Sequence, residues 1–143
     1  MLFRSGDNAA ALVLEVGEGR ARALLMADAD SVVEAAIPVT PGVAVLKAGH
    51  HGSGSSSGAA FVARALPARA LVSAGRRNAY GHPHPLALVR LGSHGASIDR
   101  TDRSGTRWYA LDERGASLLD WRAGGAAVDG PPRPLRGAPP PRP

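Results

Sequence analysis

Apolar positions fall in short runs along the chain, and the residues between the runs assign each an element. Residues 11–16 (Ala-Leu-Val-Leu-Glu-Val) and 20–26 flank Gly17-Glu18-Gly19, a pattern that predicts a β-hairpin. Residues 30–37 place Val32, Val33, Ala36 and Ile37 at helical spacing, which predicts a short helix burying those four, closed by Pro38 and Pro41. Residues 43–48 are apolar almost without alternation, as in a strand covered on both faces. A helix over residues 59–66 follows, with Phe61, Val62, Ala65 and Leu66 apolar and Pro67 ending it. Residues 69–74 read as the next strand. Pro85 suits a first helical turn, Leu86, Leu88, Val89 and Leu91 supply the apolar face behind it, and Gly95 stops it. Residues 96–101, 106–112 and 116–121 read as strands, with turns at Ser104-Gly105 and Arg114-Gly115.

Strands alternating with helices predict an α/β protein with a layered sheet and flanking helices. Ligands in such sheets collect beyond the carboxyl ends of the strands. Asp28, His50, His51 and the loop 75–84 all lie at such ends. From residue 123 the composition shifts, with most of the twelve prolines crowded into the last segment. The expected division is therefore a folded unit over 1–122 and a disordered Pro/Gly/Arg-rich tail over 123–143.

Composition narrows the picture in three ways. Aromatic residues make up 4% of the 143, so aliphatic side chains carry the packing. Without cysteine there is neither a disulfide frame nor a thiolate metal site. The net charge is +5, and every basic residue except Lys47 is arginine. That balance fits attraction to a polyanion and fits GC-rich coding equally, so charge alone assigns no nucleic-acid role. No apolar run reaches the roughly 18–20 residues that span a bilayer, and residues 1–7 lack the apolar core of a signal peptide.

Three places carry candidate chemistry. In Val45-Leu46-Lys47-Ala48-Gly49-His50-His51-Gly52-Ser53 a strand delivers paired histidines into a Gly/Ser loop. On an extended backbone the two rings point to opposite sides, one toward a metal and the other toward substrate or packing. Asp28, at the end of Arg22-Ala23-Leu24-Leu25-Met26-Ala27-Asp28, is either a metal-binding carboxylate or the N-cap of the next helix, a role Asp30 or Ser31 can also fill. In Gly75-Arg76-Arg77-Asn78-Ala79-Tyr80-Gly81-His82-Pro83-His84, His82 or His84 offers acid/base chemistry and Arg76 and Arg77 offer a phosphate clamp. The bland alternative is a solvated turn whose side chains satisfy backbone groups. His94, beside Gly95, reads as structural.

Taken in order, these blocks resemble one template. Ala23-Leu24-Leu25-Met26-Ala27-Asp28, Leu46-Lys47-Ala48-Gly49-His50-His51-Gly52-Ser53 with Ser55-Ser56-Ser57, Val72-Ser73-Ala74-Gly75 with Asn78 and Tyr80-Gly81-His82-Pro83, and Arg100-Thr101-Asp102-Arg103-Ser104-Gly105 are similar to the metallo-β-lactamase-fold domain of the ComEC competence proteins, over residues 7–112. The resemblance implies a four-layer αββα sandwich, of which this chain is the C-terminal half: a mixed sheet with flanking helices. It implies two divalent ions, zinc or manganese, with Asp28 the bridging carboxylate and His51 the last histidine ligand. His50 faces substrate, and with His82 and Asn78 it steadies developing charge. Ser53, Arg76, Arg77, Tyr80 and His84 line the substrate side. The implied activity is a metal-dependent hydrolase of nuclease type. It degrades the non-imported DNA strand on the extracytoplasmic face of the cell membrane, as part of a DNA-uptake channel.

Departures from the template set further expectations. Ala27 stands where the family has glycine before the bridging aspartate, and Asp7-Asn8-Ala9-Ala10-Ala11 lacks the family's serine. The first metal motif, His-x-His-x-Asp-His, is absent from these residues. It is expected in an N-terminal half preceding this segment, and residues 1–5 do not match the family. Alone, the segment should bind metal weakly, hydrolyse nothing and leave one sheet face open. Two other readings stay open: a hydrolase of the same fold acting on a small phosphoester or ester, and a non-catalytic basic module that binds DNA through its arginines.

Overall fold

Five short strands pair into one sheet because each apolar run is bounded by residues that favour turns. The computed structural model describes residues 11–120, 122, 124 and 126–127. Strands β1 (Leu14–Val16) and β2 (Ala23–Leu25) form the antiparallel hairpin. Then β2, β3 (Val45–Lys47), β4 (Arg69–Val72) and β5 (Ser97–Arg100) run parallel in that order. Helices α1 (Ser31–Ala36), α2 (Ala59–Ala65) and α3 (Pro85–Gly92) connect successive parallel strands. A one-turn helix α4 (Thr101–Ser104) leads from β5, stopped by Gly105 at φ +73°. A second sheet of β6 (Trp108–Asp112), β7 (Gly115–Asp120) and β8 (Ala126–Ala127) is antiparallel. The chain is thus mixed α/β with a mixed sheet and flanking helices.

Residue parity along the parallel strands sorts two cores. Leu24, Leu46, Ala70 and Val72 join Val33, Phe61, Val62 and Leu91 from the three helices on one face. Ala23, Val45 and Leu71 meet Ala116, Tyr109 and Leu111 of the second sheet on the other. The continuous apolar character of 43–46 follows, since a strand covered on both sides has no solvent face to alternate with. The face expected to be open is therefore covered over β3 and β4. It stays exposed at the hairpin, where Leu12, Leu14, Val16 and Leu25 remain in solvent.

Two helix faces differ from expectation. In α1 the buried pair is Val33 and Glu34, while Val32 is 63% exposed. In α3 the buried residues are Ala87 and Leu91, and Leu86 and Val89 are exposed. Helices of six and eight residues hold too few apolar positions for periodicity to define a face. The anchors at their ends set the rotation instead. Asp30 caps α1 through Val32 N–H (3.0 Å) and Val33 N–H (3.3 Å). Of the segment expected to be a tail, Gly124 and β8 are described, β8 pairing with β7. The other residues from 123 on, and the segment at Asp7-Asn8, lie outside the described residues.

Candidate metal centre

The ends of β2, β3 and β4 converge, and the backbone there is held in conformations that side-chain-bearing residues rarely take. Ala27 sits at φ +46°, and His50 and His51 lie at φ +42° and +54° inside a 3-10 turn, Gly49–Gly52. Left-handed backbone costs about 1–3 kcal/mol per non-glycine residue, although histidine tolerates it better than most. It persists because the neighbourhood over-determines it. The Ala27 carbonyl accepts from His50 N–H (2.9 Å) and from Lys47 Nζ (3.2 Å), tying the end of β2 to the end of β3. Ser53 N–H closes the turn on the His50 carbonyl (2.8 Å). Glycine is required at both ends of the turn. A Cβ at Gly49 would collide with the Ala29 carbonyl, and one at Gly52, which lies at φ +79°, would come within 2.8 Å of Pro83. The paired histidines are therefore not on extended backbone, and their rings do not diverge to opposite sides. They stand edge to face, centroids 6.5 Å apart at 65°.

Of the two roles open to Asp28, the cap belongs to Asp30, which leaves the Asp28 carboxylate unused by helix α1. Asp28 Oδ1 lies 3.7 Å from His51 Nε2, and the two side chains are about half exposed. The other ring nitrogen, Nδ1, is 2.7 Å from the Ser73 carbonyl, just beyond β4. A carbonyl can only accept, so Nδ1 carries a hydrogen, and Nε2 is the ring nitrogen turned toward the carboxylate. A backbone carbonyl on the far nitrogen is the arrangement that fixes tautomer and orientation in metal-ligating histidines. Two donors 3.7 Å apart fit one divalent ion with bonds of about 2.0–2.2 Å each. The donor set is partial. Among the described residues no group of three or more His, Asp or Glu side chains assembles, whereas a catalytic ion ordinarily takes at least three protein ligands.

The loop 75–84 forms the opposite rim. Asn78 is spent on its backbone: its amide nitrogen donates to the carbonyls of His82 (2.6 Å) and Gly75 (2.9 Å), and its oxygen accepts from His82 N–H (2.9 Å). This clamp sets the His82 ring 5.6 Å from that of His50. Burial, then the neighbouring imidazoles His50, His51 and His84, hold the His82 pKa below the ordinary 6.5, so the ring is neutral at neutral pH. His84 caps α3, its Nδ1 accepting from Leu86 N–H (3.2 Å). Ser53 Oγ accepts from Ser55 N–H (3.3 Å) within its turn. Arg76 donates to the Asp102 carbonyl (3.3 Å), and Arg77 is exposed at φ +62°.

Three residues that shape the site escape sequence reading. Lys47 braces the Ala27 carbonyl, and burial lowers its pKa while Asp28 acts the other way. Glu34, 1% exposed, accepts from the N–H groups of Ser57 (2.5 Å) and Gly58 (2.8 Å). Arg90 donates to the carbonyls of Gly54, Ser56 and Ser57, each at 2.8 Å. Glu34 and Arg90 together immobilise the serine loop that follows the histidines. The available signal was positional: the single lysine lies inside an apolar strand, and the single acid of α1 lies between apolar neighbours.

Comparison with known proteins adds named relatives. The chain is 44% identical over 70 residues to ComE operon protein 3 of Bacillus subtilis, covering 49% of this chain and 9% of that protein. It is 36% identical over 113 residues to Competence protein ComA of Neisseria gonorrhoeae, covering 76% and 16%. It is 33% identical over 100 residues to Recombination protein 2 of Haemophilus influenzae, covering 69% and 13%. The chain thus matches only a small part of the length of each. No family model matches it. No solved structure matches it either. The geometry joins an aspartate and a histidine at adjacent strand ends, and the relatives that share this stretch of sequence support a competence-protein family for the chain.

Proposed function

We propose that this segment supplies one side of a metal-dependent hydrolase centre acting on DNA in competence, within a metallo-β-lactamase-type sandwich whose remaining ligands lie outside these residues. The carrying observation is the approach of Asp28 Oδ1 to His51 Nε2 at 3.7 Å, oriented by the Ser73 carbonyl on Nδ1. A carboxylate oxygen and a deprotonated imidazole Nε2 at this separation can share one divalent ion. Asp28 and His51 would hold it, and a divalent ion there supplies Lewis-acid activation of a phosphodiester. Zinc and manganese both suit a carboxylate and imidazole set. The His82 ring, neutral and clamped by Asn78, is placed to accept a proton or a hydrogen bond beside His50. The similarity to competence proteins supports DNA as the substrate, and the homologues are consistent with a membrane-associated whole. In this chain itself no described helix is long and apolar enough to cross a membrane.

The test is turnover by the full-length protein on single-stranded oligonucleotides with manganese or zinc. Asp28→Ala and His51→Ala should each abolish cleavage that chelation also abolishes, while DNA binding persists. Cleavage at the wild-type rate by either variant would overturn the reading. So would full-length protein that binds DNA through salt-sensitive contacts alone and cuts neither oligonucleotides nor small phosphodiesters.

A further inference from the structure

Four rings form a continuous ladder across the rim of the site. Tyr80 and His82 lie nearly parallel, centroids 6.1 Å apart at 20°. His82 meets His50 edge-on at 5.6 Å, and His50 meets His51, the candidate ligand, at 6.5 Å. The outermost rung is unusual. Tyr80 is 84% exposed in a chain that has two tyrosines, and the other, Tyr109, is packed between the sheets. The exposed ring stands on braced backbone. Asn78 makes three hydrogen bonds to the loop, Gly81 N–H returns to the Asn78 carbonyl (3.4 Å), and Arg76 ties the loop to Asp102. A large aromatic face presented to water on braced backbone is pre-organised for a flat ligand, because little ordering entropy is left to lose on binding.

We infer that Tyr80 is a nucleobase-stacking platform that places an unpaired base at the outer end of the ring ladder, with the strand's backbone running inward past His82 and His50 toward Asp28 and His51. The chemistry of the surroundings selects this ligand. Arg77 lies three residues from Tyr80 with its side chain in solvent, Arg76 is exposed beside it, and the chain is basic overall, so a polyanion is favoured over a sugar or an apolar peptide. Stacking on an aromatic side chain tolerates any base but needs a free base face. A duplex covers both faces of each base with its neighbours, so the platform discriminates for single strands without reading sequence. This inference deepens the proposed substrate and rests on the same rim, but it concerns binding and not cleavage.

The experiment is accordingly a binding measurement on the 143-residue chain with a chelator present, using fluorescently labelled oligothymidine, the same length of abasic strand, and a duplex. Tyr80→Ala should weaken oligothymidine binding by about 10-fold or more, and Tyr80→Phe should stay within about 2-fold of wild type. The abasic strand should bind wild type as weakly as oligothymidine binds Tyr80→Ala, and duplex affinity should not move. The side chain is in solvent, so unchanged thermal melting confirms that the variants fold. Equal affinity of wild type and Tyr80→Ala for oligothymidine overturns the inference, as does equal wild-type affinity for the abasic and normal strands. Full-length protein that fails to cut DNA would refute the hydrolase reading while leaving these binding results standing.

Discussion

Two clusters of charged side chains sit on the same sheet and do opposite jobs. Between the sheets, Asp99 accepts from the Tyr109 hydroxyl (2.9 Å) and lies 3.6 Å from Arg69 and 3.7 Å from Arg107. Arg69 also donates to the Ala116 carbonyl (3.2 Å), so the cluster staples the second sheet to the first. It is largely buried and pairs opposite charges. Burial and the Asp99 carboxylate push the Tyr109 phenol above its usual range, which keeps it a hydrogen-bond donor. At the strand ends the arrangement is inverted. Asp28 and His51 are half exposed, Asp28 follows the left-handed Ala27 while His51 is itself left-handed, and a carboxylate oxygen faces the imidazole Nε2. The cluster that pairs opposite charges under cover holds the fold, whereas the one that faces a half-exposed carboxylate with an imidazole stays open to a ligand.

The sharpest way to break that contrast is to remove each acid in turn. Asp99→Ala removes the acid that faces both Arg69 and Arg107 between the sheets and should cost about 3–5 kcal/mol in urea unfolding. Asp28→Ala removes a half-exposed carboxylate and should change stability by no more than about 0.5 kcal/mol. Similar losses from both would show that the rim is as structural as the latch. A smaller effect tests the strain. Ala27→Gly relieves a positive φ and should stabilise the chain by roughly 1 kcal/mol, less what the freer unfolded chain takes back. The backbone at this position thus favours glycine, and a destabilised Ala27→Gly would refute that.

The smallest effect is a titration. The His82 imidazole should titrate below 6.5 by NMR, and His50→Ala should move its midpoint upward by removing a like charge. The sign follows from linkage. A lowered folded pKa means that the native state disfavours the proton. The His82 contribution to stability is therefore full above about pH 6.5 and is lost as pH falls through the lowered value. A His82 midpoint at or above 6.5 would contradict the burial and repulsion described.

The hairpin, the three parallel strands after it and all three helices between them were legible in the sequence, because Gly17, Gly19, Pro38, Pro67 and Pro85 punctuate runs long enough to show their type. The site was legible as a set of residue types at strand ends. Its roles were not. Asn78 has the composition of a catalytic amide, yet its side chain is held by hydrogen bonds within its own loop, and His84 has the composition of an acid/base yet caps a helix. Glu34 carries no such signal, because an acid in a short helix normally faces water. It is buried here because two N–H groups more than twenty residues away supply its partners.

By itself the sequence determined the alternation of elements, the strand buried on both faces and the concentration of histidines beyond the sheet. These depend on neighbours within a few residues and on where apolar side chains must avoid water. Only the tertiary structure decided that Asp30 and not Asp28 caps the helix, that His50 and His51 adopt left-handed backbone, and that Ser73, just beyond another strand, orients the His51 ring toward Asp28. The cap is local but has several candidate acids; the other two outcomes turn on hydrogen bonds between strand ends far apart in the chain, and local pattern carries no information about which carbonyl will face which ring.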